Sequence, residues 1–403
     1  MRLMSSVAVR RKAFAATAVL LLGLGTTLQW SGAPSEAGSI GPAPGVVVVN
    51  YGRTSPTDLE AAWSSRGVVS VQRTSRGNYS ITAPNVTGTG NSQITVLGPG
   101  APLPMCNVVS TSNANPGTKL KVRCWSATTG KTVDAGFSLM FTSYRVADPS
   151  NHYLVLTTNK ASKSHVPNNQ FNAVDATARA TVTRLGKGSY KVTYPVSLRP
   201  SNGGILFVSA TGNAARYCNL GGWDSLDDLG GIEARVDCFS RTGAKADSLF
   251  TLTASQGDVA GGSSESQTMS AWRDRDAFGN EYTDLGTNYH WNGSSGTDRS
   301  RNEFQLGRST VVGDNLLFML PTRPTTERFP NPYLSFVMVT GYGWNPWPEV
   351  PGHEATNLRC APGAAQLDFV ARDATFEVQC YDPSGYPVNA SYIIGAVLIN
   401  LVA

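Results

Sequence analysis

The sequence predicts an all-β protein of three tandem antiparallel β-sandwich repeats with an immunoglobulin-like architecture, about seven strands each. Three observations lead there: one segment is written three times, each copy holds one cysteine pair, and apolar and polar residues alternate around the cysteines. The 41 glycines and the scarcity of long helical patterns agree with strands joined by turns.

The repeated segment is clearest in the first two copies. Val71-x-Arg73-x-x-x-Gly77-x-Tyr79-x-Ile81-x-x-Pro84 recurs as Val182-x-Arg184-x-x-x-Gly188-x-Tyr190-x-Val192-x-x-Pro195. In the third copy Gly313 to Pro321, with Leu316 and Phe318 between, keeps the shape and lengthens it by one residue. The second half of the unit survives in all three, as Leu120-x-Val122-x-Cys124, Ala234-x-Val236-x-Cys238 and Phe376-x-Val378-x-Cys380. Period two gives a strand with one buried face and puts each cysteine on that face. Then follow Gly130-x-x-x-Asp134-x-x-Phe137, Gly243-x-x-x-Asp247-x-x-Phe250 and Gly385-x-x-x-Asn389-x-x-Tyr392. These read as a turn feeding a strand, in which Asp or Asn bonds the turn's own amides and the aromatic re-enters the core. A metal-ligand or acid role for these Asp/Asn residues is the rival reading, and recurrence at fixed distance from a core aromatic favours the structural one.

Each copy closes on itself through its own cysteines: Cys106 with Cys124, Cys218 with Cys238, and Cys360 with Cys380. Zinc or redox chemistry is the alternative, opposed by the wide spacing and the lack of histidine at ligand spacing. In the second copy alternating segments begin near Tyr153, Thr181, Tyr190, Ile205, Arg216, Glu233 and Leu249, which is the source of the seven-strand count. A β-propeller is the alternative architecture, and two four-stranded blades per unit would require eight strands.

The N-terminal segment reads as an export signal. Arg2, Arg10, Arg11 and Lys12 precede an apolar run from Ala13 to Leu28, and Ser35-Glu36-Ala37 supplies small residues at minus three and minus one. A signal peptide over 1–37 is expected, followed by repeats over 38–145, 146–256 and 257–403. The apolar run of about 16 residues falls short of the roughly 20 needed to span a bilayer, and the C-terminal run is shorter still. A mature chain without a transmembrane segment is expected, extracellular or cell-wall associated; Arg10-Arg11 leaves the twin-arginine and general secretory routes both open. Removing 1–37 lowers the formal net charge from +5 to +2, and no Lys/Arg cluster remains that could track phosphates, so nucleic acid is not an expected partner.

The pattern G-x-Y-x-[VI]-x-x-P, a cysteine, a strand ending V-x-C, then G-x-x-x-D-x-x-F resembles repeats in exported, functionally unassigned proteins of high-GC Gram-positive bacteria. It covers nearly the whole mature chain. The resemblance implies secretion and a repeat architecture, and transfers no activity or site.

Function is sought where the copies differ. From Gly98 to Cys106 the first repeat has 8 positions, the second has 6 from Gly212 to Cys218, and the third has 19 from Gly341 to Cys360. That insertion carries Tyr342, Trp344 and Trp347 among prolines, and these aromatics could stack on a sugar ring or another apolar ligand, or fold onto the domain's own surface. Asp274, Asp276 and Gly279 resemble the start of a calcium loop, but Phe278 and Leu285 occupy ligand places, so a solvated connector is preferred. Asp224, Asp227 and Asp228 read as a solvated acidic turn. No G-x-S-x-G elbow or H-E-x-x-H motif occurs, and His152, His165, His290 and His353 are scattered. The preferred expectation is a non-catalytic binding protein for cell-wall glycan or another extracellular protein, with no cofactor or metal. The alternatives are a hydrolase using His290 or His353 with Glu349, Glu354 or Asp314, and a protease inhibitor.

Overall fold

The computed structural model describes residues 45–52, 59–97, 102–114, 117–143, 153–195, 205–226, 231–255, 266–273, 291–292, 304–308, 314–319, 334–342, 357–368, 373–388 and 391–399. All lie in one unit spanning Pro34–Ala403. The described residues are all-β, with no helix among them.

The first repeat supplies β1 (Val46–Tyr51), β2 (Leu59–Ser64), β3 (Ser70–Ser75), β4 (Asn78–Pro84), β5 (Gly90–Leu97), β6 (Met105–Ala114), β7 (Gly117–Trp125) and β8 (Gly136–Ser143). They pair as β2-β1-β8-β5 and β3-β4-β7-β6. The second supplies β9 (Tyr153–Thr157), β10 (Asn169–Asn172), β11 (Thr181–Gly186), β12 (Ser189–Tyr194), β13 (Ile205–Thr211), β14 (Arg216–Leu226), β15 (Gly231–Ser240) and β16 (Leu249–Ser255), paired as β10-β9-β16-β13 and β11-β12-β15-β14. The third supplies β17 (Ser266–Arg273), β18 (Trp291–Asn292), β19 (Phe304–Arg308), β20 (Asp314–Met319), β21 (Leu334–Tyr342), β22 (Arg359–Asp368), β23 (Asp373–Tyr381) and β24 (Ser391–Ile399), in the same order.

Among the described residues each repeat therefore has eight strands, one more than the seven counted in the sequence. The extra strand is β10 in the second repeat, whose Asn-Gln-Phe-Asn shows no apolar alternation. Eight strands do not make propeller blades here. A blade is an independent radial sheet, whereas these sheets combine the first, second, fifth and eighth strands of a repeat, or the third, fourth, seventh and sixth.

Burial separates two kinds of sheet. In β7 inward Leu120, Val122 and Cys124 are buried while Lys119 and Lys121 face solvent, the alternation of an outer sheet. In β8 every residue is buried: Phe137, Leu139 and Phe141 pack into the first repeat's own core, and Met140 joins Val46 and Val48 in the core of the second. The inner sheet is thus covered on both faces. Outer and inner sheets also join between repeats, through parallel bridges Val108 to Thr211 and Leu220 to Tyr342.

Equivalent positions follow from register. Val96, Ala210 and Gly341 stand opposite Phe137, Phe250 and Tyr392, so Thr95, Ser209 and Thr340 are equivalent one residue earlier. These three hydroxyls close a cycle. Thr95 Oγ1 lies 3.1 Å from the N–H of Val339 and 3.3 Å from its carbonyl. Thr340 Oγ1 lies 3.4 Å from both groups of Val208, and Ser209 Oγ 3.1 and 3.2 Å from those of Ile94. Strands β5, β13 and β21 are thereby linked around a common centre with approximate threefold symmetry.

The recurring Asp is structural, but it does not bond its own turn as the sequence reading expects. Asp134 reaches the neighbouring hairpin: it accepts from Arg73 Nε and Nη2 at 2.8 and 2.7 Å and from the Gly77 N–H at 2.7 Å. Asp247 repeats this with Arg184 at 3.1 and 3.0 Å and Gly188 at 2.8 Å. Tyr79 and Tyr190, fully buried, place their hydroxyls 3.4 and 3.3 Å from the same carboxylates. Gly77 and Gly188 have φ of 68° and 69°, and a Cβ there would meet backbone atoms at 2.7 and 2.5 Å, which is why glycine holds both places.

In the third repeat register corrects the alignment. Asn315, not Leu316, pairs with Val378 as Tyr79 pairs with Val122, so Leu317 takes the place of Ile81. Register also sets Arg308 opposite Asn315 as Arg73 stands opposite Tyr79, and counting along the sequence puts Asn389 at the aspartate position, so the third copy keeps the arginine and has asparagine at both the tyrosine and the aspartate positions.

Candidate functional site

Where the three repeats meet, a partly open cavity of about 80 Å³ is lined by β5, β13 and β21 and by the strands that carry Cys106, Cys218 and Cys360. Its construction begins with the disulfides. Cys106–Cys124, Cys218–Cys238 and Cys360–Cys380 each join directly opposed residues of two neighbouring antiparallel strands, with Cα atoms 4.0 Å apart. These bonds fix β6, β14 and β22 against their partners, and the residues just before each first cysteine face the junction. Those residues include Met105, Arg216, Tyr217 and Arg359.

Arg359 is 5% exposed. Its Nη1 donates to the Leu103 carbonyl at 2.8 Å and its Nη2 to the Pro383 carbonyl at 3.4 Å, while the guanidinium lies 5.8 Å from the Tyr217 ring centre. Burial holds its pKa below the usual arginine value, with Tyr217 and then Asp382 opposing that fall; arginine stays cationic regardless. Tyr217 stacks on Phe239 at 5.3 Å and donates its hydroxyl to the Asn357 carbonyl at 2.5 Å, and burial raises its pKa. Arg216 donates through Nη1 to the Ala215 carbonyl at 3.1 Å. The Nε atoms of both arginines are buried and find no hydrogen-bond partner among the described residues.

Among the described residues no Asp, Glu or His lines the cavity. Among the described residues neither guanidinium forms an ion pair, and no three His, Cys, Asp or Glu side chains gather to hold a metal. The described chemistry is cationic and hydrogen-bonding, without an acid–base pair.

The sequence-predicted candidates fall differently. Tyr342 ends β21, where its backbone pairs with Leu220 and Ser391. Trp344, Trp347, His152, His290, His353, Glu349, Glu354 and the calcium-like Asp274 and Asp276 lie outside the described residues, as do Asp227 and Asp228. Asp224 belongs to β14 and Asp314 to β20, in different repeats. His165 bridges Val182 through paired backbone bonds of 2.8 Å, and its Nδ1 lies 2.9 Å from the Lys163 carbonyl, a loop-fixing role. Register also moves the start of the third repeat's insertion: Gly343, two residues after Gly341, is the counterpart of Gly98 and Gly212. Gly341, two residues before that start, and Arg359, just before Cys360, both line the cavity. Arg216 and Arg359 were not singled out from sequence. The only hint is their place just before Cys218 and Cys360.

No protein-family model, curated protein or solved structure matches the chain. Three disulfides and the absence of free cysteine among the described residues point to an oxidising, non-cytoplasmic setting. No described helix is long and apolar enough to cross a membrane.

Proposed function

We propose that the chain is a secreted, non-catalytic binding protein of the bacterial surface, built from three immunoglobulin-like β-sandwich repeats. Its ligand-contacting segment runs from Tyr342, the last residue of β21, through Trp344 and Trp347 of the insertion. The observation that carries this reading is the placement of the residues flanking that insertion. Gly341 before it and Arg359 after it both line a junction cross-braced by disulfides and by the hydroxyl cycle. A rigid frame lowers the entropic cost of presenting a loop to a partner. Tryptophan and tyrosine contribute large contact area with few rotatable bonds and suit sugar rings.

The test is binding of the mature protein to purified cell-wall polysaccharide. The double variant Trp344→Ala/Trp347→Ala is expected to lose binding while its circular dichroism and unfolding midpoint match the parent. Unchanged binding by a folded double variant would remove the reading.

A further inference from the structure

We propose that the cavity between the three repeats is a binding site for a small oxyanion, held by Arg216 from the second repeat and Arg359 from the third. The inference rests on the cavity's own residues and is independent of the aromatic segment.

Arg216 and Arg359 both line one small cavity, and like charges gathered there repel each other unless an anion or solvent compensates them. Buried charge without a partner is costly, so such groups are ordinarily paired or hydrogen-bonded. Here Arg359 spends its described bonds on two carbonyls and Arg216 on one, and each keeps a buried Nε–H without an acceptor among the described residues. The other polar groups on the wall are committed. Thr95, Ser209 and Thr340 are bound in the hydroxyl cycle, and Asn107 and Asn219 donate to the carbonyls of Ala214 and Leu358 at 2.8 and 2.7 Å. Among the described lining residues no carboxylate competes for the arginines. Asp382, whose charge is felt by Arg359, accepts the Tyr386 N–H at 2.9 Å.

Size narrows the ligand. A volume of about 80 Å³ is well below the roughly 300 to 1,000 Å³ of pockets that enclose a drug-sized molecule. It suits one phosphate-like or sulfate-like group. Guanidinium geometry matches such oxygens, and hydrogen bonds between ionised partners are stronger than neutral ones. The shared chemistry is a tetrahedral oxyanion, present either as a free ion or as the terminal group of a larger molecule reaching in.

The experiment is calorimetric titration of the mature protein with inorganic phosphate and, separately, with methyl phosphate, at constant ionic strength. Saturable one-site binding of phosphate is expected. Arg216→Gln and Arg359→Met should each weaken it by about 10-fold or more, the loss of one charge-assisted hydrogen bond. Methyl phosphate binding as well as phosphate assigns the site to a terminal group; its exclusion assigns it to the free ion. Arg359 also braces Leu103 and Pro383, so its variant is paired with an unfolding measurement, and the less buried Arg216→Gln decides the matter if Arg359→Met does not fold. Absence of saturable binding by the parent, or folded variants that bind as the parent does, overturns the proposal. Trp344→Ala/Trp347→Ala should bind phosphate normally, which separates failure here from failure of the surface-binding reading.

Discussion

Replacing Asp134 by asparagine keeps the shape of the side chain and removes the charge on which one hairpin leans. The carboxylate accepts three short hydrogen bonds: two from the Arg73 guanidinium at 2.8 and 2.7 Å and one from the Gly77 N–H at 2.7 Å. The ion pair is partly in water, with side-chain exposures of 32% and 36%, so its share of stability is held to about 1 kcal/mol at most. The Gly77 N–H is donated to a charged acceptor, a bond that contributes roughly 1.5 to 3 kcal/mol. Asparagine retains one oxygen for that N–H, at reduced strength, and turns an amide N–H₂ towards Arg73. A loss of about 2 kcal/mol at neutral pH is expected from these opposing changes.

The pH dependence separates this account from a simple packing defect. The Arg73 hydrogen bond and, after it, the Gly77 N–H outweigh burial and hold the Asp134 pKa down to about 2, from 3.8. A carboxylate with a depressed folded pKa stabilises the fold above its unfolded pKa, and that stability is lost as pH falls through the folded value. Urea unfolding followed by tryptophan fluorescence should show the parent more stable than Asp134→Asn at pH 7, with the gap closing between about pH 4 and pH 2. A gap below about 0.5 kcal/mol at pH 7, or one that persists undiminished at pH 2, refutes the reasoning.

Two further outcomes follow from close contacts. Gly188→Ala should cost about 2 to 3 kcal/mol in urea unfolding, because φ is 69° and the new Cβ would sit 2.5 Å from Ala246 N and Cys238 O. Gly186→Ala, two residues away with nothing within 4 Å of the added carbon, should stay within about 0.5 kcal/mol and serves as the control. Thr340→Val should cost about 1 to 3 kcal/mol, since it strips the hydroxyl from both polar groups of Val208 in a buried seam. A neutral result in thermal or urea unfolding would mean that the hydroxyl cycle does not hold the repeats together.

What could be read in advance was whatever a repeat must do for itself. Period-two alternation around Cys124 and Cys238 reports a face turned to the repeat's own core, and those residues are fully buried. The strand β10 has no apolar signature because Phe171 is the single apolar residue of its Asn-Gln-Phe-Asn. The seam was missed for a deeper reason. Asn91, Gln93 and Thr95 put a polar residue at every second position, the composition of a solvent face, yet all three are buried. Their outward direction leads into the second and third repeats, where Asn91 donates to the Leu252 carbonyl at 3.1 Å and Gln93 to Thr253 Oγ1 at 3.0 Å. A pattern within one strand distinguishes inside from outside for that sandwich, and carries no record of whether outside means water or another repeat. The same blindness hid Arg216 and Arg359, which become a pair only when β14 and β22 meet.

The cavity itself arises from the imperfection of the repeat. Asn107, immediately after Cys106, ties the first repeat to the Ala214 carbonyl of the second, and Asn219, after Cys218, ties the second to the Leu358 carbonyl of the third. The matching residue after Cys360 is Ala361, which can make no such bond. At that third seam Arg359 spans instead to the Leu103 carbonyl of the first repeat, while Leu103, Ala361 and Tyr381 pack together beside it. A neutral amide would have closed the ring with its polar atoms satisfied. A guanidinium closes it with a positive charge and more donors than the backbone there uses, and the unused Nε–H is the consequence. Approximate symmetry makes the frame, and the one seam that departs from it introduces the charge on which selectivity for an anion depends.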